Sequence, residues 1–421
     1  MKNIIVQKFG GTSVADTEKM RHVARAIIRE KNLGNDVVVV VSAMGHTTDA
    51  LIKLAKEITP NPSSRELDML LSTGEGVSIA LLAMAIQAEG CDAISMNAMQ
   101  VGIITEKIHS KARILKIKTK KIRSHLKEGK VVVIAGFQGV TDDFEITTLG
   151  RGGSDTSAVA LAGALGAKRC DIYTDVEGVY TTDPRIVPFA TRLDQISYEE
   201  MLELARVGAN VLHPRAVETA TQYNTPLRVR STFKLDNLGT LILGVDQMEL
   251  HKPVTGVASD LSQVRVVVCD VKDTPGTAAF LFDRLAKRNI SVDMIIQSYA
   301  RTNMNTNDIV FTIDKNDVEK TLTVINKVKG ELQHSDIFID DKIAKVSIVG
   351  AGMIDRPGIA AKMFNTLAEL NINIKMISTS EIKISCVIDK DKVQEAVSAL
   401  HTVFGLNSRE RADVKGDLPN V

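Results

Sequence analysis

The last third of the chain is written twice. Pro275, Phe282, Leu285, Asn289, Met294 and Ser298 return as Pro357, Phe364, Leu367, Asn371, Met376 and Ser380, all at one constant offset. Identities held in fixed register over such a span mark a duplicated module. Each copy reads strand, Pro-Gly turn, helix, strand, strand, helix. Val264 to Cys269 and Lys345 to Val349 open the copies, and the helices are Thr277 to Lys287 and Ile359 to Glu369. That pattern closes as a small α+β unit of the ferredoxin-like kind. The modules are placed at 264–340 and 345–415. The run Val254 to Ala258 lies outside both and is a candidate strand lent to the farther module, so strand exchange between the modules is expected.

The first two-thirds reads as α/β. Ile4 to Val6 is a short apolar run. Asp16 to Lys31 is an amphipathic helix with Met20, Val23, Ala24, Ile27 and Ile28 on one side. Val37 to Val41, five valines in succession, suit a strand covered on both faces and hence a parallel sheet. Strand, helix and buried strand make a βαβ unit. Asp49 to Ile58 and Val77 to Ala88 read as helices and Val131 to Ala135 as a strand. After a polar excursion, Thr141 to Thr148, comes an alanine-rich helix, Ala158 to Leu165. Ile196 to Ala205 reads as a helix, and Leu227 to Arg230 as the last strand of a domain bounded at 1–245.

Charge narrows the function classes. Lys plus Arg number 52 against 51 Asp plus Glu, a formal charge of +1, so nothing global attracts nucleic acid or an anionic membrane. Aromatic residues are 4% and Trp is absent, which argues against a base-stacking surface. Cys91, Cys170, Cys269 and Cys386 are far apart and without ligand spacing. They read as thiols of a reducing compartment rather than as a disulfide frame or a protein-built metal site. The apolar start is too short for a signal peptide or a membrane span. The expected location is the cytoplasm.

Two glycine-rich helix entries carry the chemistry. Lys8-Phe9-Gly10-Gly11-Thr12-Ser13 follows the first apolar run. Its glycines admit an anion that a Cβ would block, and Lys8 adds a mobile point charge. A plain strand-to-helix turn with a hydroxyl cap has the same letters. Leu149-Gly150-Arg151-Gly152-Gly153-Ser154-Asp155 is the second entry. Arg151 there has the fork that grips a carboxylate or phosphate, and Asp155 would also suit a first helical turn electrostatically. Ser42 and Thr47 sit in the loop after the valine run, either as ligand donors or as a turn before a helix. Ser72-Thr73-Gly74-Glu75 matches a capping box, and Glu75 equally suits a substrate ammonium; the spacing leaves both open. The loop after Ile172-Tyr173 is long and polar. It places Tyr173 and Tyr180 beside a base or ribose and Arg185 on phosphate, although Asp183-Pro184-Arg185 is also a turn sequence. His213 is assigned no chemical role.

Taken in order, these stretches and Val41-Ser42-Ala43-Met44-Gly45, Gly136-Phe137-Gln138-Gly139 and Tyr173-Thr174-Asp175-Val176 resemble the aspartate kinase family, in its short form with tandem ACT modules, over nearly the whole chain. The resemblance implies an amino-acid-kinase three-layer α/β/α sandwich followed by two ACT modules. It implies transfer of phosphate from Mg-ATP to the side chain of L-aspartate, the first step toward lysine, threonine, methionine and, in bacteria, diaminopimelate. It puts Lys8, Phe9, Gly10 and Gly11 on ATP phosphates, and Thr174, Asp175, Tyr180, Asp183 and Arg185 along the nucleotide cleft. Ser42, Thr47, Glu75, Arg151, Gly152, Gly153 and Ser154 hold aspartate, with Arg151 on its α-carboxylate and Glu75 near its amino group. Lys8, Arg151 and Asp155 are the catalytic set. Lysine, threonine or both are the implied effectors, with Asp273, Thr274, Gly276, Asp293, Gln297, Thr379, Ser380 and Glu381 as candidate contacts. A homo-oligomer, or assembly with a shorter chain started internally (Met248, for example), is implied as well. The rival readings are a kinase of the same fold acting on glutamate or acetylglutamate, and an inactive amino-acid sensor.

Overall fold

The computed structural model describes residues 2–209, 211–247, 252–299, 306–354 and 356–407. Two compact units emerge: Met1–Tyr180 with Arg192–Leu250, and Thr181–Thr191 with His251–Val421.

The strands of the first unit are β1 (Ile4–Phe9), β2 (Asp36–Val41), β3 (Ala93–Met96), β4 (Ile103–Thr105), β5 (Ile114–Ile117), β6 (Val131–Ala135), β7 (Gln138–Val140), β8 (Ile146–Thr148), β9 (Arg169–Thr174), β10 (Gln195–Ser197), β11 (Leu227–Ser231) and β12 (Thr240–Leu243). Eight of them form one sheet in the order β10-β12-β11-β9-β1-β2-β6-β3. β1, β2, β6 and β9 at its centre run parallel. The valine run behaves as its composition requires. Val37 to Val41 are all fully buried, because both faces of the sheet are covered. Val37, Val39 and Val41 pack with Val23 and Ile27 of helix Thr17–Asn32 and Leu82 and Ile86 of helix Ser64–Ala88. Val40 faces the other way, beside Gly136 and the helix Gly153–Leu165. Helices, sheet and helix make the α/β/α sandwich.

Several local expectations are corrected. Lys8 and Phe9 lie inside β1 rather than after it. The sheet does not end at Leu227 to Arg230, since β12 pairs antiparallel with β11 and β10 pairs with β12. The polar excursion before Gly150 is a hairpin, β7–β8, in a second sheet of order β5-β4-β7-β8. The helix expected from Ile196 begins at Tyr198, behind a capping box of Ser197 and Glu200. The helix expected from Val77 begins thirteen residues earlier, at Ser64. That helix, Ser64–Ala88, is long and apolar enough to cross a membrane by length and composition alone. It carries buried Asp68 and Glu75 and sends Leu71, Leu82 and Ile86 inward, as a core helix does.

The strands of the second unit are β13 (Gly256–Asp260), β14 (Gln263–Lys272), β15 (Val292–Tyr299), β16 (Thr306–Asp314), β17 (Ile337–Asp340), β18 (Ile343–Val349), β19 (Met376–Ser380) and β20 (Lys383–Asp389). They form two sheets, β15-β16-β14-β17 and β13-β18-β20-β19. Helices Thr277–Ala286 and Val318–Lys327 cover the first, and Ile359–Glu369 and Val393–Val403 the second. β13 precedes the first module in sequence, yet it completes the second module's sheet by pairing with β18. The segment Thr181–Thr191 also belongs here. Val187 is buried in the second module's core, Val257 N donates to Thr181 O at 2.8 Å, and Thr181 Oγ1 shares a 2.8 Å hydrogen bond with His401 Nε2. Met248, Asp355 and residues 408–415 lie outside the described residues.

Candidate active site and effector cavity

The carboxyl ends of β1, β2 and β6 face one place, where ligands collect in open α/β sheets. Lys8 is the penultimate residue of β1, and its Nζ lies 2.7 Å from Asp155 Oδ1. Both side chains are largely buried, at 12% and 14% exposure, so this ion pair is shielded from solvent screening. Asp155 is in the first turn of helix Gly153–Leu165, which is entered through Gly152 at φ +70°. The two glycine-rich entries are therefore joined at their charged residues.

Gly11 presses on the loop after β2. A Cβ there would stand 2.8 Å from Ala43 O and 3.1 Å from Gly45 O. Gly45 N donates to Gly11 O at 3.0 Å, and Ser42 N to Phe9 O at 3.2 Å. Ser154 meets the β6 end, where a Cβ on Gly136 would come within 2.8 Å of Ser154 Cβ. Thr47 opens helix Thr47–Ile58, and its hydroxyl donates to Met44 O at 2.6 Å. Arg151 is exposed in the second loop and is in no ion pair among the described residues, which leaves its fork available.

Glu75 departs from the capping-box reading. It sits in the middle of helix Ser64–Ala88, and Ser72 Oγ donates to Met69 O at 2.8 Å instead of capping anything. Glu75 Oε1 accepts from Ala43 N at 3.0 Å, while Oε2 is buried with no hydrogen-bond partner. Burial pushes its carboxyl up from 4.5 to about 7. Its orphaned buried oxygen lies beside the β2 loop, where a donor from a cationic group could satisfy it.

Tyr173 and the side chain of Phe9 are not in a cleft. Their rings stack in the core with centroids 4.5 Å apart. The Tyr173 hydroxyl accepts from Arg230 Nη1 at 3.3 Å and Gln7 Nε2 at 3.4 Å, and burial raises its pKa. Of Phe9, only the backbone reaches the loop. Thr174 ends β9 and Asp175 follows it, and the two bond each other, Thr174 Oγ1 donating to Asp175 Oδ1 at 2.9 Å. Tyr180 bridges to Arg192. Asp183 and Arg185 form a forked ion pair, with Arg185 Nη2 2.7 Å from Asp183 Oδ2. Those two belong to the second unit, unlike Thr174, Asp175 and Tyr180.

His213 caps helix Pro214–Tyr223, its Nδ1 accepting from Arg215 N at 3.3 Å. Burial lowers its pKa. Sequence reading missed Asp68 and Arg215, which hold the second glycine-rich loop from behind. An aspartate inside an apolar helix and an arginine after a proline carry no local signal of that use. Among the described residues, no group of three or more His, Cys, Asp or Glu side chains could hold a metal ion.

In the second unit, Asp273, Thr274, Gly276 and Gln297 line one cavity of about 330 Å³, together with Asn307. Asp293 is not in it; its carboxylate pairs with Lys345 of β18, a buried ammonium. Thr379 and Ser380 end β19, with Glu381 just beyond, and they do not line that cavity.

The profile of the amino acid kinase family matches residues 3–231, and that of the ACT domain matches 264–328 and 346–404. An aspartokinase of Geobacillus stearothermophilus is 53% identical over 412 residues, spanning 98% of this chain and 99% of that protein. The crystal structure of E. coli aspartokinase III in complex with aspartate and ADP superposes with a TM-score of 0.80. It is 27% identical, over 95% of this chain and 99% of that one. The same enzyme in complex with lysine and aspartate superposes at 0.76, also at 27% identity, over 96% of this chain and 99% of that one. Glycine-rich entries joined by Lys8 and Asp155, the doubled ferredoxin-like modules and these likenesses agree: the chain belongs to the aspartokinase family.

Proposed function

We infer that the protein transfers the γ-phosphoryl group of ATP to the side-chain carboxylate of L-aspartate, giving 4-phospho-L-aspartate and ADP. The Lys8–Asp155 pair carries the reading, because it ties the phosphate-type loop to the acceptor-type loop. A carboxylate oxygen of aspartate attacks the γ-phosphorus, and the bond from that phosphorus to the β-bridging oxygen breaks. The nucleophile has a reference pKa of about 4, so no base is needed at neutral pH. The work is positioning and charge neutralisation along an in-line transfer. Lys8 supplies charge where the phosphoryl group passes, and the Gly10–Gly11 backbone receives phosphate oxygens.

Arg151 forks onto the α-carboxylate of aspartate. Glu75 Oε2 accepts its ammonium, with Thr47 and Ser154 close by. Mg²⁺ enters with ATP as part of the substrate, neutralising phosphate charge. Lys8 already occupies Asp155 Oδ1 at 2.7 Å, so the metal would be held mostly by phosphate oxygens and water. Thr174, Asp175 and Tyr180 line the nucleotide side.

ADP release over a panel of acceptors, with hydroxylamine trapping of the acyl phosphate, tests the reaction. Aspartate is the expected acceptor; turnover with glutamate and none with aspartate would overturn the assignment. Feedback by lysine, threonine or both is assigned to the Asp273–Gln297 cavity. Thr274→Ala with Gln297→Ala is expected to raise the inhibitory concentration on the order of tenfold with basal turnover kept. Inhibition matching wild type would remove the cavity from the role. Association of ACT modules into an oligomer and residence in the cytoplasm complete the proposal.

A further inference from the structure

The Arg151 loop has to present a guanidinium at a fixed point, yet it is a run of glycines. Its rigidity must come from its stem, Thr148-Leu149. Every backbone polar group of that stem has a partner. Thr148 N donates to Asp68 Oδ2 at 3.0 Å, and Thr148 O accepts from Ala112 N at 3.0 Å. Leu149 N donates to Phe137 O at 2.8 Å, and Leu149 O accepts from Arg215 Nη1 at 2.5 Å.

Asp68 does more than accept one amide. It is 1% exposed. Thr148 Oγ1 donates to its Oδ1 at 2.6 Å, Ser110 N donates to its Oδ2 at 2.9 Å, and His109 Nδ1 lies 3.0 Å from Oδ2. Ser110 is held at φ +67°, a left-handed conformation costly for serine. Its carbonyl would stand 2.8 Å from a Cβ on Gly150, so it forms the wall against which the loop turns. Arg215 closes the other side, spanning Leu149 O and Ala112 O, the latter at 3.0 Å from Nη2. A carboxylate satisfied by this many donors, and a guanidinium satisfied by two carbonyls, are rigid because neither has a second arrangement of equal quality.

We propose that Asp68 and Arg215 are positioning residues that fix the stem of the Arg151 loop and so set the affinity for the acceptor amino acid. The proposal rests on the reading of that loop as the acceptor site. Asp68 touches no substrate; it acts through Thr148 and Ser110. An amide at position 68 would offer one acceptor oxygen where two are used and would set its NH₂ against N–H donors. Thr148→Val is a milder probe, removing the hydroxyl at nearly constant shape, and Thr148→Ser puts it back.

The experiment has two arms on the full chain. Steady-state kinetics on Asp68→Asn, Arg215→Lys, Thr148→Val and Thr148→Ser should show KM for aspartate raised on the order of tenfold in the first three. KM for ATP should hold, and Thr148→Ser should recover. Amide hydrogen exchange without ligands should accelerate at residues 148–153 in the same three variants and not across β1 and β2. Equal rises in both KM values, or an unchanged aspartate KM in Thr148→Val, would overturn the proposal, as would unchanged exchange in the loop. If the wild-type chain forms no trappable acyl phosphate from aspartate, the reading of the acceptor site fails instead, and the exchange arm still decides whether Asp68 and Arg215 hold the loop.

Discussion

At the scale of single residues, two carboxylates near one sheet edge do opposite things. Asp155 is paired with Lys8 at 2.7 Å, whereas Glu75 has one oxygen on a backbone amide and one with no donor. Lys8→Ala removes the charge under the transferring phosphoryl group. It is expected to cost at least ~100-fold in kcat and to lower Tm, because the buried Asp155 carboxylate loses its partner, with the fold and lysine binding kept; turnover within a few-fold of wild type would exclude Lys8 from the mechanism. Glu75 yields a pH prediction. Its folded pKa, about 7, stands above the unfolded 4.5, because burial disfavours the charged form. The protonated carboxyl therefore stabilises the fold fully below pH 4.5, and that contribution fades as pH rises through about 7. Glu75→Gln should leave Tm unchanged at pH 4.5, gain on wild type toward pH 8 in the absence of ligand, and lose aspartate affinity toward pH 8, where the carboxyl is ionised. A Tm difference that does not vary with pH would show that Glu75 is not held neutral by burial.

At the scale of elements, the turns decide. Gly11 cannot carry a side chain, because its Cβ would meet Ala43 O and Gly45 O, both backbone atoms of a neighbouring loop. Gly11→Ala is expected to separate the β1 and β2 loops, with a loss of about 1–3 kcal/mol in stability and a raised KM for ATP. Equal stability and equal KM would mean that the loops yield without consequence. Much of this level was legible in sequence. The valine run announced a doubly covered parallel strand, and the helix read from Asp16 to Lys31 runs Thr17–Asn32, with Asp16 as its cap rather than its first residue. The reading failed at Ser72 to Glu75, where a motif of the right letters fell inside a longer helix. The hydrogen-bond pattern of a capping box depends on where the helix starts, and an alanine- and leucine-rich run does not mark its own beginning. The same motif at Ser197–Glu200 does cap, because a strand ends at Ser197 and the helix starts at Tyr198.

At the scale of the whole molecule, the kinase segment Thr181–Thr191 is part of the second unit, with Val187 fully buried there. Expressing residues 1–247 alone removes that core. Trypsin should then cut after Arg185 at least ~10-fold faster than in the full chain, because cleavage follows the population of the open segment. Equal rates would show that the segment is held without the second unit.

The sequence by itself determined the doubled module, the α/β class and the two glycine-rich entries, because periodicity, repetition and glycine placement are properties of local order. Only the tertiary structure decided that Lys8 meets Asp155 and that Tyr173 is a core ring. It alone placed Glu75 on the β2 loop and β13 in the sheet of the farther module. Each of those is a meeting of residues far apart in the chain, and what brings them together is the burial of sheet faces and the need of buried polar groups for partners. The glycine-rich entry at Lys8 was readable from the first thirteen residues; the pairing of its lysine with Asp155 was not.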